Sequence, residues 1–165
     1  MKILESSPKN TESESTMYGP PPASSWAAPP EFYFDENAVT RSVLKFLIDL
    51  GYRCHTPAEL FGTRDSALGV RDEVWLTRVR EHDWVVLSRD AKIMERPAEL
   101  AAYRAANVHM FYLPGEATRA QLLELISANL RDIITYASAK KPNVWQIKRT
   151  GVSLFSPKRA PRKRS

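Results

Sequence analysis

The chain has few of the residues on which several common kinds of site depend. With one cysteine, Cys54, the chain can form neither an intrachain disulfide nor a CxxC motif. We expect the Cys54 thiol to be buried, which fits a cytoplasmic protein. Its three histidines are scattered, and none is spaced from another as zinc ligands are. Its six glycines form no glycine-rich phosphate loop, and no G-x-S-x-G motif is present. Zinc, thiol-pair and serine-nucleophile chemistry therefore have no sequence signature here.

Long hydrophobic runs are also missing. No apolar stretch is long enough to cross a bilayer, and the first residues contain no apolar segment of the secretory-signal type. We therefore expect a cytoplasmic protein without a membrane partner. With 43% hydrophobic residues, a chain of 165 residues can still bury the core of one domain.

Acidic residues are absent from the end of the chain. From residue 140 onward the sequence has no Asp or Glu, although the chain as a whole has a net charge of only +5. An acidic middle and a basic end suit a protein that binds cations in a pocket and contacts a polyanion nearby. A solvated basic end that only aids solubility is the alternative. The cations of this end are Lys140, Lys141, Lys148, Arg149, Lys158, Arg159, Arg162, Lys163 and Arg164.

The composition divides the chain into three parts. Residues 1–30 are rich in Ser, Pro, Glu and Thr, so we predict a disordered tail. Residues 31–150 alternate apolar runs with helical periodicity and form the predicted domain. Residues 151–165 are basic and contain prolines, which predicts a second disordered tail.

The domain is organised around the stretch from Glu31 to Asn37, where three aromatic residues precede two acids and an Asn. Continuous apolar runs are typical of buried parallel strands. Similar runs at residues 52–55, 84–87 and 108–113, and an edge strand at 143–148, alternate with helical patterns over 38–50, 71–82, 98–106 and 118–137. This order predicts an α/β fold, a three-layer α/β/α sandwich with a mainly parallel sheet.

Carboxylates gather where such a sheet binds ligands. Asp35 and Asp90 each follow a predicted strand, and the carboxyl ends of parallel strands line the ligand crevice. Asp72 and Glu73 begin the helix that leads into the strand before Asp90. Carboxylates brought together repel one another unless a cation lies between them, and oxygen ligands suit Mg²⁺ or Mn²⁺. Such an ion can activate water against a phosphodiester.

Each acid also has a purely structural interpretation. Asp35 or Asn37 can cap the helix that follows them, Asp72 can cap its own helix, and Glu73 can interact with a helix dipole. Asp90 can be a turn residue. On the residues alone these alternatives stay open.

The ordered motifs of the chain resemble the PIN-like domains of VapC-type toxins. The resemblance spans roughly residues 32–151 and consists of the F-Y-F-D-E-N stretch, then D-E-x-W, then W-V-V-L-[ST]-x-D, then a basic residue, an Ile and R-P-x-E. The residues that carry the later motifs are Asp72, Glu73, Trp75, Trp84 to Asp90, Lys92, Ile93, Arg96, Pro97 and Glu99.

The resemblance implies a Mg²⁺- or Mn²⁺-dependent ribonuclease held in check by a cognate antitoxin. By position, it implies that Asp35, Asp72 or Glu73, and Asp90 are the metal ligands and catalytic acids. A fourth acid is not evident, because Glu116 follows Pro114-Gly115 in a loop, which favours a single ion. RNA, an antitoxin and a second copy of the chain in a homodimer are the partners considered, and a non-catalytic PIN-like module binding RNA or protein is the alternative function. The cations expected to bind RNA are Arg89, Lys92, Arg96, Lys148 and Arg149.

Overall fold

The computed structural model describes residues 19–35, 40–58, 72–89 and 97–156, and it describes only the backbone of Asp72, Glu73 and Glu99. A short 3-10 helix (Ala23–Ser25), four α-helices and six strands follow one another in these ranges. The strands are β1 (Phe32–Phe34), β2 (Cys54–His55), β3 (Val85–Ser88), β4 (Met110–Tyr112), β5 (Val144–Lys148) and β6 (Gly151–Leu154). The helices are α1 (Arg41–Asp49), α2 (Asp72–His82), α3 (Pro97–Ala105) and α4 (Arg119–Ala139).

The six strands form one sheet in the order β2-β1-β3-β4-β5-β6. The first five are parallel, and β6 alone runs antiparallel, to β5. Each parallel connection that the structure describes passes through a helix, as a parallel crossover requires. The predicted α/β fold with a three-layer α/β/α arrangement is confirmed.

Side-chain alternation along the strands divides the core into two halves. In β1, Phe32 and Phe34 pack in the half covered by α1 and α4, whereas Tyr33 packs in the half covered by α2 and α3. In β3, Val85 and Leu87 lie in the first half and Val86 in the second. We call these halves the α1/α4 face and the α2/α3 face. Residues that continue the strands alternate between them in the same way.

The observed helix boundaries have clear local causes. The side chain of Thr40 accepts a hydrogen bond from the Val43 N–H at the start of α1. Gly51, with a φ of 98°, ends the same helix in the left-handed region that glycine adopts most readily. A capping box between Thr118 and Gln121 begins α4. Among the described residues, none of the helices combines the length and the hydrophobicity that crossing a bilayer requires.

The predicted N-terminal boundary is wrong, because the described end of the predicted tail packs on the domain. Ala23 is buried, and its N–H donates to the Leu50 carbonyl at 2.8 Å. The Trp26 indole donates to the Tyr52 hydroxyl at 2.9 Å, and that hydroxyl donates to the Pro21 carbonyl at 2.7 Å. Residues 1–18 lie outside the described part of the chain.

The predicted C-terminal boundary is also wrong. Residues 151–154 form β6, so β5 is not the edge strand that the sequence predicts. Val152 packs on the α1/α4 face and Phe155 on the α2/α3 face, both buried. Their burial extends the domain to residue 155, and only residues 157–165 of the predicted tail lie outside the described part.

Candidate active site

Asp35 lies where β1 ends, at the carboxyl edge of the sheet. The three strand residues before it are almost completely buried. The Asp35 N–H donates to the Leu87 carbonyl of β3 at 3.3 Å, so the main chain of Asp35 still belongs to the ladder. The side chain is half-buried and continues the alternation on the α2/α3 face. A carboxylate is thus held at the edge where parallel sheets bind ligands.

Ser88, the last residue of β3, holds this carboxylate. The pairing of Phe34 with Leu87 brings the next residues of both strands side by side. Ser88 is 1% exposed, and its hydroxyl donates a short hydrogen bond to Asp35 Oδ2. Sequence patterns alone give Ser88 no role, although it is the Ser/Thr position of the W-V-V-L-[ST]-x-D motif. Its hydrogen bond fixes the orientation of the Asp35 carboxyl group.

The start of α2 reaches the same edge and the same face. Helix α2 is followed after two residues by β3, so it runs antiparallel to the strands and begins at their carboxyl edge. Leu76 and Val79 pack with Tyr33, which puts α2 on the α2/α3 face. The backbone of Asp72 and Glu73 opens this helix, where the dipole favours negative charge. The fold therefore brings Asp35 and the start of the acid-bearing helix to one place.

The remaining predicted site residues either lie outside the described part of the chain or lie further along the sheet edge. Asp90, Lys92 and Arg96 lie outside the described residues. Lys148 and Arg149 are exposed at the carboxyl end of β5 and in the turn to β6. Because β5 is parallel to β1, they share the edge with Asp35, three strand spacings away, or about 14 Å.

Arg89 has a structural role at this edge. Its Nε donates to the Gly115 carbonyl at 3.2 Å, and its Nη2 donates to the Ala117 carbonyl at 2.5 Å. These carbonyls belong to the turn between β4 and α4, so Arg89 fastens that turn to the end of β3. Following Ser88 by one residue, Arg89 lies on the α1/α4 face, away from Asp35. Its predicted contact with RNA stays a prediction.

The described carboxylate is suited to a hard cation. Asp35 supplies a ligand type that Mg²⁺ and Mn²⁺ accept, and the Ser88 hydroxyl orients it. Within the described ranges no three His, Cys, Asp or Glu side chains cluster, and three of the four predicted ligands have no described side chain. Asp35 is therefore the one predicted ligand whose side chain the structure describes.

The histidines take part in aromatic packing. His55 and His82 stack on Trp84, with ring centroids 3.8 and 4.4 Å from it. His109 Nδ1 accepts a hydrogen bond from the Trp145 indole at 3.0 Å, and burial lowers the pKa of His109. A neutral His109 that accepts at Nδ1 carries its proton on Nε2. All three side chains thus contribute to packing within the fold rather than to the candidate site around Asp35.

Comparison with known proteins gives one finding. A family model described as a PIN like domain matches residues 30–115, slightly more than half of the chain. The match runs from the residues before β1 through β4 and includes every predicted acid of the site. No curated protein and no solved structure matches the chain.

Proposed function

Since this chain belongs to the PIN-like domain family, we propose that it is a Mg²⁺- or Mn²⁺-dependent endoribonuclease and the toxin of a toxin–antitoxin pair. The observation that carries the proposal is the position of Asp35. Its carboxylate is held by Ser88 at the carboxyl edge of the sheet, on the face where α2 begins. A buried hydroxyl that orients a half-buried carboxylate is an arrangement expected of a metal ligand and its supporting group.

In this proposal Asp35, Asp90 and one of the pair Asp72 and Glu73 hold the cation. The cation, when bound, supplies charge stabilisation on a phosphoryl oxygen and lowers the pKa of a water. Ser88 keeps the Asp35 carboxyl group in one orientation, so that little reorganisation is needed when substrate binds. No side chain of the protein acts as a nucleophile, and the scissile phosphodiester is opened by water.

The proposed substrate is RNA, and the charge at the carboxyl edge supports it. Lys148 and Arg149 are exposed there, and neither forms an ion pair in the part of the chain that the structure describes. Cations without a partner attract a phosphate backbone and release its counterions. Lys92, Arg96 and the basic residues beyond 156 are further proposed contacts.

The test is metal-dependent cleavage of total RNA by the full-length chain. We expect cleavage with Mg²⁺ or Mn²⁺, none with EDTA, and a steep loss for Asp35→Asn. Asp49→Asn is the matched control, because Asp49 is exposed at the end of α1 and pairs only with Lys45 among described residues. Binding of RNA without cleavage by the wild type would favour a non-catalytic PIN-like module instead.

The toxin role has a separate test in cells. Expression of the wild-type chain is expected to arrest growth, whereas the Asp35→Asn chain is tolerated at equal abundance. A cognate antitoxin is then expected to restore growth and to co-purify with the chain. Growth unaffected by an enzyme that cleaves RNA in vitro would refute the toxin role and leave the ribonuclease proposal intact.

A further inference from the structure

A groove opens on the α1/α4 face at the carboxyl edge of the sheet. It has a volume of about 560 Å³ and lies between the first half of α4, the turn that precedes this helix, and the turn from β5 to β6. Volumes of several hundred Å³ are typical of small-ligand sites. The Arg89 hydrogen bonds to Gly115 and Ala117 tie one wall of the groove to the end of β3. The groove and Asp35 are therefore supported by consecutive residues of one strand.

Asn129 is the buried polar group of this groove. It is 4% exposed in the middle of α4, and its Nδ2 donates to the carbonyls of Leu125 at 2.8 Å and Lys148 at 3.3 Å. These two bonds use both amide hydrogens and fix the orientation of the amide, since the flipped form would set Oδ1 against two carbonyl oxygens. No group that the structure describes donates to Oδ1. Asn129 Oδ1 is thus an accessible acceptor on a mostly buried side chain in the groove wall.

The charge and polarity of the other lining residues indicate which kind of ligand the groove can bind. Glu116 and Glu124 add carboxylate acceptors at the rim, and they would repel a phosphate inside the groove. Apolar groups, including Leu125 and Ala128, supply a surface for a flat ring. Lys148 and Arg149 are the cations of the lining, on the side of the β5–β6 turn. The groove therefore offers acceptors and apolar surface to a ring and cations to a phosphate beside it.

We propose that this groove is a nucleobase subsite that receives a base with an exocyclic amine from the RNA substrate. This inference rests on the proposed function, because it assigns a specificity site to that enzyme. Adenine, cytosine and guanine each carry an exocyclic amine that can donate to the acceptors of Asn129, Glu116 or Glu124. Uracil has no exocyclic amine, and its single N3–H lies between two carbonyl oxygens that the carboxylates of Glu116 and Glu124 repel. Since the groove lies on the opposite face of the sheet from Asp35 and about two to three strand spacings along the edge, the base belongs to a nucleotide away from the scissile bond.

The experiment measures binding of labelled single-stranded oligo(A), oligo(C) and oligo(U) to the full chain by fluorescence anisotropy in EDTA, where no cleavage occurs. We expect oligo(A) and oligo(C) to bind about tenfold more tightly than oligo(U), the value of one well-made hydrogen bond. Ala128→Trp fills the groove from an exposed helix position and should abolish this preference. Ala139→Trp, at the other end of α4 and outside the lining, is the matched control and should preserve it.

Replacement of two lysine or arginine residues at a time separates base recognition from phosphate binding. Replacing Lys148 and Arg149 by Gln should weaken all three oligonucleotides equally and make the salt dependence shallower. Replacing Lys140 and Lys141 by Gln removes the same charge before the start of β5, outside the groove lining, and should have a smaller effect.

The outcomes distinguish this inference from the proposed function. Equal affinities for the three oligonucleotides, or a preference that survives Ala128→Trp, overturn the nucleobase subsite even if the protein cleaves RNA. A preference that disappears in Ala128→Trp supports the subsite, even if the protein never cleaves RNA with any metal. If Ala128→Trp instead blocks an antitoxin and leaves all oligonucleotide affinities unchanged, the groove is a protein-binding surface and the inference is wrong.

Discussion

Removal of one hydroxyl group tests whether Ser88 positions the Asp35 carboxylate for function. In Ser88→Ala the short hydrogen bond to Asp35 Oδ2 is removed, and nothing else of the side chain changes. Groups that orient a metal ligand typically contribute about 10- to 100-fold to metal affinity or activity, or about 1.4–2.7 kcal/mol. Asp35 is half-buried, so water can replace the missing donor and the fold should be affected little. A destabilisation of about 0.5–1.5 kcal/mol corresponds to a shift of about 1–6 °C in melting temperature.

The assay is the RNA cleavage rate as a function of Mg²⁺ concentration. We expect Ser88→Ala to need roughly 10- to 100-fold more Mg²⁺ for half-maximal activity, with much of the activity restored at saturating metal. Ser153→Ala is the matched control, because Ser153 is an exposed serine of the same sheet, in β6, and its hydroxyl accepts from Gln146. Its metal dependence should equal that of the wild type.

An unchanged metal dependence in Ser88→Ala would refute the reasoning, because the hydrogen bond would then have no bearing on a metal ligand. A large fall in melting temperature with an equal reduction of activity at every metal concentration would assign Ser88 to the fold alone. In either case Asp35 would have to be oriented by other groups.

Three further predictions concern the boundaries of the domain, the helix acids and a buried imidazole. A chain that ends at residue 156 should melt like the full chain. Its RNA affinity should depend less steeply on salt, with a slope shallower by up to about 0.7 for each phosphate that it no longer neutralises. A chain that ends at residue 150 lacks β6 and two buried side chains, so urea unfolding should show it to be less stable by about 3–6 kcal/mol. Asp72→Asn should abolish cleavage if Asp72 is a ligand and have little effect if it is a cap, since Asn caps equally well, and Glu73→Gln gives the complementary result. Burial lowers the pKa of His109, so as pH falls below about 6.5 the imidazole is protonated first in the unfolded state. The free energy of unfolding therefore decreases from there until the folded state is also protonated. In urea unfolding, His109→Gln should show a smaller decrease of this free energy with falling pH.

The order of the helices and strands could be predicted because each depends on local patterns. Continuous apolar runs such as Phe32–Phe34 fill both faces of a parallel sheet, and helix caps such as Thr118 act within one turn. The topology then follows from the alternation of strands with helices. Asp35 could be assigned to the carboxyl edge for the same reason, since its position depends only on the strand before it.

The ends of the domain could not be predicted because their stability comes from distant contacts. Trp26 is surrounded by Ser, Ala and Pro, and its partner Tyr52 lies 26 residues further along the chain. Phe155 follows a basic turn and packs on a face of the sheet that is formed by earlier strands. Composition over a short window favours disorder in both segments, and tertiary burial outweighs it.

The roles of Ser88 and Arg89 depend on strand register, which the sequence does not contain. Pairing Phe34 with Leu87 sets Ser88 beside Asp35, and a shift of one residue would turn the opposite set of side chains toward it. With this register, the alternation of β3 sends Ser88 to the α2/α3 face and Arg89 to the α1/α4 face. Arg89 therefore supports the turn that lines the groove, while Ser88 supports the carboxylate. Arg89 is among the cations predicted to contact RNA, and its main-chain partners at Gly115 and Ala117 are set by the fold. The end of one strand thus couples the proposed catalytic edge to the proposed base-binding groove through two adjacent residues on opposite faces.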